Sequence, residues 1–153
     1  MATLHILCGL PGSGKSTLAK KLESEHAALR LTPDEWMERI VGDGYSEDKR
    51  TVVETIQCEI AEQALRLGVN VILENGFWTR RERDELQARA KNCGADTKLY
   101  YLDVARDELL RRLNERNANL PPNTFHIDES RLDDAITHFE VPTPDEPNLI
   151  IIK

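Results

Sequence analysis

Gly9-Leu10-Pro11-Gly12-Ser13-Gly14-Lys15-Ser16 follows an apolar run, Thr3–Cys8, and precedes Leu18, Ala19 and Leu22 at helical spacing. A strand, a glycine-rich turn and a helix in that order fit the pattern G-x-x-x-x-G-K-S/T of a phosphate-binding loop. The residue types follow from the chemistry. Glycines let the backbone turn and aim successive N–H groups inward as an anion nest. The helix that follows adds free N–H groups and its positive dipole end. Lys15 is placed to reach the β- and γ-phosphates, and the Ser16 hydroxyl to ligate Mg²⁺. The loop therefore reads as the site of a nucleoside triphosphate with Mg²⁺.

Outward from the loop, short apolar runs recur at Ala27–Leu31, Asn70–Leu73, Thr97–Leu102 and Asn148–Ile152. Amphipathic stretches separate most of them, which predicts an α/β fold with a parallel sheet and helices on both faces. Thr32-Pro33-Asp34-Glu35 and Thr79-Arg80-Arg81-Glu82 each read as a capping box that starts a helix. Val52, Ile56, Ile60 and Ala64 recur every four residues and predict the inward stripe of a long helix ended by Gly68. A further helix is expected over about Arg106 to Asn117, with Leu109, Leu110 and Leu113 inward, and Asp128 is expected to cap one more. Asn117–Ile127 and Val141–Pro147 read as loops.

The 153 residues suit one domain, 1–153, with a lid at about 111–128. Hydrophobic residues at 40% and charged residues at 31% describe a folded soluble protein rather than a disordered one. No apolar run approaches the roughly 20 residues of a membrane span. Cys8, Cys58 and Cys93 have no ligand spacing, and their odd count points to reduced thiols in the cytoplasm. The net charge of −7 disfavours a general nucleic-acid binder without excluding a local basic cleft.

Chemistry in a parallel sheet gathers at the C-terminal strand ends. Asp34 stands after the second run and serves either as general base for an acceptor hydroxyl or as a plain helix-start carboxylate. Glu74 ends the third run and is expected to hold Mg²⁺ or its water. Arg112 and Arg116 share a helix face before the Asn/Pro loop. They read either as lid arginines over the triphosphate or as a solvated face paired with Glu108 and Glu115. Arg80, Arg81 and Arg83 crowd a helix start, where cations are disfavoured. They mark an anionic acceptor or a surface cluster. Trp36, Tyr45 and Trp78 follow the second and third runs, where they can stack on an acceptor ring or pack under a loop.

Together these segments resemble small P-loop kinases of the polynucleotide-kinase and zeta-toxin-like group, to which chloramphenicol phosphotransferase is related. The resemblance rests on GLPGSGKST, Thr32-Pro33-Asp34-Glu35, Leu73-Glu74-Asn75-Gly76, Arg112-x-x-x-Arg116 and Phe139-Glu140-x-Pro142. It implies a P-loop NTPase fold with a five-stranded sheet of order 2-3-1-4-5 and a short lid. It also implies Asp34 as the base, with Arg112 and Arg116 on the nucleotide phosphates. Gly9, Pro11, Gly12, Ser13, Gly14, Lys15, Ser16 and Thr17 then form the cradle. The expected activity is transfer of the γ-phosphate of Mg·ATP to a hydroxyl of a small or medium-sized acceptor. Polynucleotide kinases place an arginine shortly after the catalytic aspartate to grip the acceptor's phosphate, and here Met37 takes that position, with Arg39 two further on. That departure weakens a nucleic-acid 5′-hydroxyl as acceptor. A toxin-like kinase shares the chemistry with a different target. A non-kinase ATP-binding regulatory module is the remaining alternative, distinguished by nucleotide binding without acceptor labelling.

Overall fold

A computed structural model describes the whole chain, Met1–Lys153. Five strands alternate with helices, as the hydrophobic periodicity requires. In chain order they are β1 Thr3–Cys8, α1 Lys15–His26, β2 Leu29–Leu31, α2 Pro33–Trp36, α3 Glu47–Arg66, β3 Val71–Gly76, α4 Arg80–Asn92, β4 Asp96–Leu102, α5 Arg106–Ala118, α6 Glu129–His138 and β5 Leu149–Ile152. Every strand pair is parallel, and the order is β2-β3-β1-β4-β5.

The central strand β1 is buried on both faces, so it reads as a mostly apolar run, with His5 its one buried polar residue. Leu4, Ile6 and Cys8 pack with Ala61 and Leu65 of α3 and Leu86 and Ala90 of α4. Leu7 faces the other way and packs with Ala19 and Leu22 of α1. A third cluster joins Leu109 and Leu113 of α5 to Leu132 of α6, with Leu10 of the glycine loop against it. No helix is long and apolar enough to cross a membrane.

Three local expectations are corrected. The buried stripe of α3 is Val53, Gln57, Ala61 and Leu65, one residue on from the expected row, and Val52 and Ile56 are exposed. The true row contains a polar residue, so its all-apolar neighbour made the cleaner pattern. Thr32 does not cap α2 with its side chain; its Oγ1 instead accepts from Arg30 Nη1 at 2.8 Å. The helix it starts is four residues long and passes into a π-helical turn, Met37–Val41. By contrast, Thr79 and Asp128 cap α4 and α6 as expected, accepting from Glu82 N at 3.2 Å and Arg131 N at 2.9 Å. Finally, β3 runs past Glu74 to Gly76, with a register shift against β1 that pairs Cys8 with Gly76.

Candidate active site

The glycine loop sits between the end of β1 and the start of α1, as a local consequence of its sequence. Gly9 N donates to Gly76 O at 3.1 Å, tying the loop to β3. A Cβ on Gly9 would stand 2.7 Å from Ser13 Oγ, so a larger residue there would displace the Ser13 hydroxyl. Gly12 and Gly14 adopt φ of +83° and +98°, a region that disfavours side chains. Gly14 caps α1 without a side-chain bond, and no acidic residue occupies the first turn. The N–H groups there are left for an anion. Lys15 Nζ donates to Gly9 O and Leu10 O, both at 3.0 Å. Burial pulls its ammonium down to about 8, against the opposing pull of Asp34 and Glu74.

Beside the loop, the exposed Ser16 hydroxyl donates to Glu74 Oε1 at 3.4 Å. Glu74 is 7% exposed, and its Oε2 has no partner. Burial pushes its carboxyl upward, opposed by Thr32, Arg30 and Lys15 beside it. The buried Ser13 Oγ also lacks a partner. An orphaned carboxylate oxygen next to a hydroxyl is an apt pair for Mg²⁺, which takes one or two carboxylates and keeps several waters. No group of three His, Cys, Asp or Glu side chains converges elsewhere on a metal position.

Across the cleft, Asp34 lies in the first turn of α2 with an exposed side chain. Its Oδ1 accepts from Arg50 Nη2 at 2.8 Å. Arg50 escapes a sequence reading, because it lies sixteen residues away on the neighbouring helix and no local spacing marks it. Met37, at the position where polynucleotide kinases carry an arginine, is fully buried. Arg39 is exposed and does not line the cleft.

The two α5 arginines make different contacts. Arg112 donates to Gly12 O at 3.3 Å and to Glu108 Oε1 at 2.9 Å. Glu108, held by Arg111 and Arg112, has its carboxyl lowered to about 2. Arg116 faces Asp34 and Tyr45, and burial lowers its guanidinium from the usual arginine value. Its Nε is buried without a partner, and its Nη2 donates to Phe125 O at 3.5 Å.

These residues line one cleft of about 1480 Å³, running from Pro11–Thr17 past Asp34 and Glu74 to α3 and α4. Arg112 and Arg116 border it, while Gly9 contributes the turn but no wall. Tyr45 and Trp78 line the cleft, whereas Trp36 packs against the core. The α4 arginines are structural rather than acceptor-binding. Arg80 bonds Asp84 and Asp145, Arg81 bonds Glu85, and Arg83 is buried on Glu146 at 2.7 Å. Arg83 also donates to Phe77 O at 2.9 Å, holding that residue at a φ of +46°. A bulky residue in that region stores strain, and here it shapes the turn after β3.

The fold recurs in solved kinases. A gluconokinase from Sinorhizobium meliloti 1021 superposes with a TM-score of 0.67 at 17% identity, covering 99% of this chain and 81% of that one. The Mycobacterium tuberculosis APS kinase, in complex with AMPPNP and APS, gives 0.67 at 20% identity, covering 98% and 88%. A chain of the Pnkp1/Rnl/Hen1 RNA repair complex gives 0.75 at 23% identity, covering 90% of this chain and 43% of that one. At these identities the likeness establishes the shared fold. No curated protein matches the chain. A sequence family described as an AAA domain matches residues 4–142, which take in β1 from Leu4 on, strands β2 to β4 and every residue lining the cleft. The chain belongs to that AAA-domain family, built here on a kinase-type P-loop sheet.

Proposed function

We propose that the protein is an ATP-dependent phosphotransferase that moves the γ-phosphate of Mg·ATP to a hydroxyl of a small or medium-sized acceptor. The observation that carries this reading is the shared cleft, in which Asp34 and Arg116 face the loop that holds Lys15. A binding module has no need of a carboxylate opposite its phosphate cradle, whereas a kinase needs a proton acceptor there.

The loop amides and Lys15 bind the triphosphate, and Lys15 exchanges its two carbonyl partners for phosphate oxygens. Ser16 and Glu74 would hold Mg²⁺, directly or through water, and the ion would supply positive charge against the triphosphate. Asp34 accepts the proton of the acceptor hydroxyl as its oxygen bonds to the γ-phosphorus. The β–γ bridging bond then breaks and ADP leaves. Arg112, on the loop side, and Arg116, on the Asp34 side, stabilise charge along that line.

The cleft supports a small acceptor better than a nucleic-acid end. Glu54 and Glu82 line it without an ion-pair partner, and burial with Glu82 and Asp34 nearby pushes the Glu54 carboxyl up to about 6 despite Arg50. A polyanion would meet those carboxylates, and Met37 is buried and carries no charge to grip an acceptor phosphate.

The test is transfer of labelled γ-phosphate from Mg·ATP to a panel of nucleosides, oligonucleotides, sugars, hydroxy acids, aminoglycosides and chloramphenicol. Label on one acceptor class, lost in Lys15→Ala, supports the reading and names the substrate. Binding of Mg·ATP with no acceptor labelled would favour a regulatory module.

A further inference from the structure

Asp34 sits on a helix of only four residues, with its side chain 53% exposed. Left alone, such a carboxylate rotates freely, and a general base must hold one oxygen toward the acceptor. Arg50, on α3, supplies the constraint. Its Nη2 donates to Asp34 Oδ1 at 2.8 Å and to Gly44 O at 3.0 Å. Gly44 is covered by the ring of Phe125, so closely that an added Cβ would stand 2.5 Å from ring atoms. The carbonyl of Phe125 in turn accepts from Arg116 Nη2 at 3.5 Å. Beside this path the Tyr45 and Phe125 ring centroids lie 6.1 Å apart, and the Arg131 guanidinium stands 3.7 Å over the Tyr45 ring. One chain of contacts therefore joins the base to the lid: Asp34, Arg50, Gly44, Phe125, Arg116.

We propose that Arg50 is the positioning residue of the reaction. It fixes the Asp34 carboxylate through Oδ1, leaves Oδ2 for the acceptor hydroxyl, and ties that orientation to the lid through Gly44 and Phe125. The inference rests on Asp34 acting as the base. An exposed ion pair between two mobile side chains contributes little stability and orients little. Arg50 differs in being 30% exposed and in holding a backbone carbonyl with the same nitrogen. The two N–H groups of Nη2 lie in the rigid guanidinium plane and fix both acceptor directions, whereas an ammonium on a flexible stem turns freely.

Arg50→Gln, Arg50→Lys and Asp34→Asn in the full chain separate the possibilities. Affinity is read by calorimetry with Mg·ADP, and turnover as phosphate released from Mg·ATP to water and to the acceptor panel in the same run. Arg50→Gln is expected to lower turnover about tenfold or more through loss of orientation, with Mg·ADP affinity kept within about twofold because Arg50 does not line the phosphate loop. Arg50→Lys is expected to recover only part of the rate. It carries the test by itself if the glutamine variant does not fold, in which case wild-type turnover in Arg50→Lys overturns the proposal. Turnover in Arg50→Gln within twofold of wild type, alongside its loss in Asp34→Asn, overturns the role of Arg50 alone. Turnover retained in Asp34→Asn removes the base reading and the positioning role with it.

Discussion

The Ser16 hydroxyl and the Glu74 carboxylate meet at 3.4 Å, joining the first turn of α1 to β3 and leaving Glu74 Oε2 without a partner. If that oxygen serves Mg²⁺, Glu74→Ala raises the Mg²⁺ needed for half-maximal turnover by roughly tenfold or more. Nucleotide binding measured in EDTA changes little. Titration of turnover against Mg²⁺ checks this, and an unchanged midpoint removes Glu74 from the metal site.

Lys15 carries a pH signature. Its ammonium is held at about 8 in the ligand-free protein, below the ordinary lysine value. The folded state therefore binds fewer protons than the unfolded chain above about 8, and the ligand-free protein gains stability from this group as pH rises from there. Triphosphate binding favours the charged form. Apparent Mg·ATP affinity is thus expected to be level below about 8 and to weaken above it, by up to about tenfold per pH unit, with proton uptake on binding. Calorimetry in buffers of different ionisation enthalpy reads both effects. Lys15→Met abolishes the uptake.

Gln57 occupies the buried stripe of α3 with neither amide atom bonded. Replacing an unsatisfied polar group by an apolar one of similar shape relieves its desolvation cost. Gln57→Met is expected to raise stability by about 1–3 kcal/mol, read as a higher urea midpoint at unchanged slope. A destabilised variant would show that buried water satisfies the amide.

The Arg83–Glu146 pair is 1% exposed on both sides and anchors the turn after β3 to the segment before β5. Arg83→Met leaves the buried Glu146 with only the Thr143 amide at 2.8 Å and Arg80 at 3.9 Å, with an expected loss of up to about 3–5 kcal/mol. Arg83→Met combined with Glu146→Leu is expected to recover much of it. Denaturant melts of the two variants decide whether the charge or the packing is responsible.

What could be read from the sequence was local or periodic. The glycine loop, the strand–helix alternation and the caps at Thr79 and Asp128 each depend on residues within a few positions. What could not be read depends on partners distant in sequence. Thr32 loses its capping role to Arg30, the α4 arginines find carboxylates at Asp145 and Glu146, and Arg50 reaches Asp34 from another helix. The α3 stripe slipped by one residue because a buried glutamine breaks the apolar pattern that periodicity relies on. The strand order came from resemblance, and the sheet has it.

The most direct measurement compares binding and transfer in Asp34→Asn, using whichever acceptor takes label best. Mg·ATP affinity is expected to stay within about twofold of wild type, while phosphoryl transfer falls by about 10²–10⁴-fold, the range of a general base. Transfer at the wild-type rate in a folded Asp34→Asn protein would contradict that role, and would leave the cleft as a nucleotide site whose chemistry lies elsewhere.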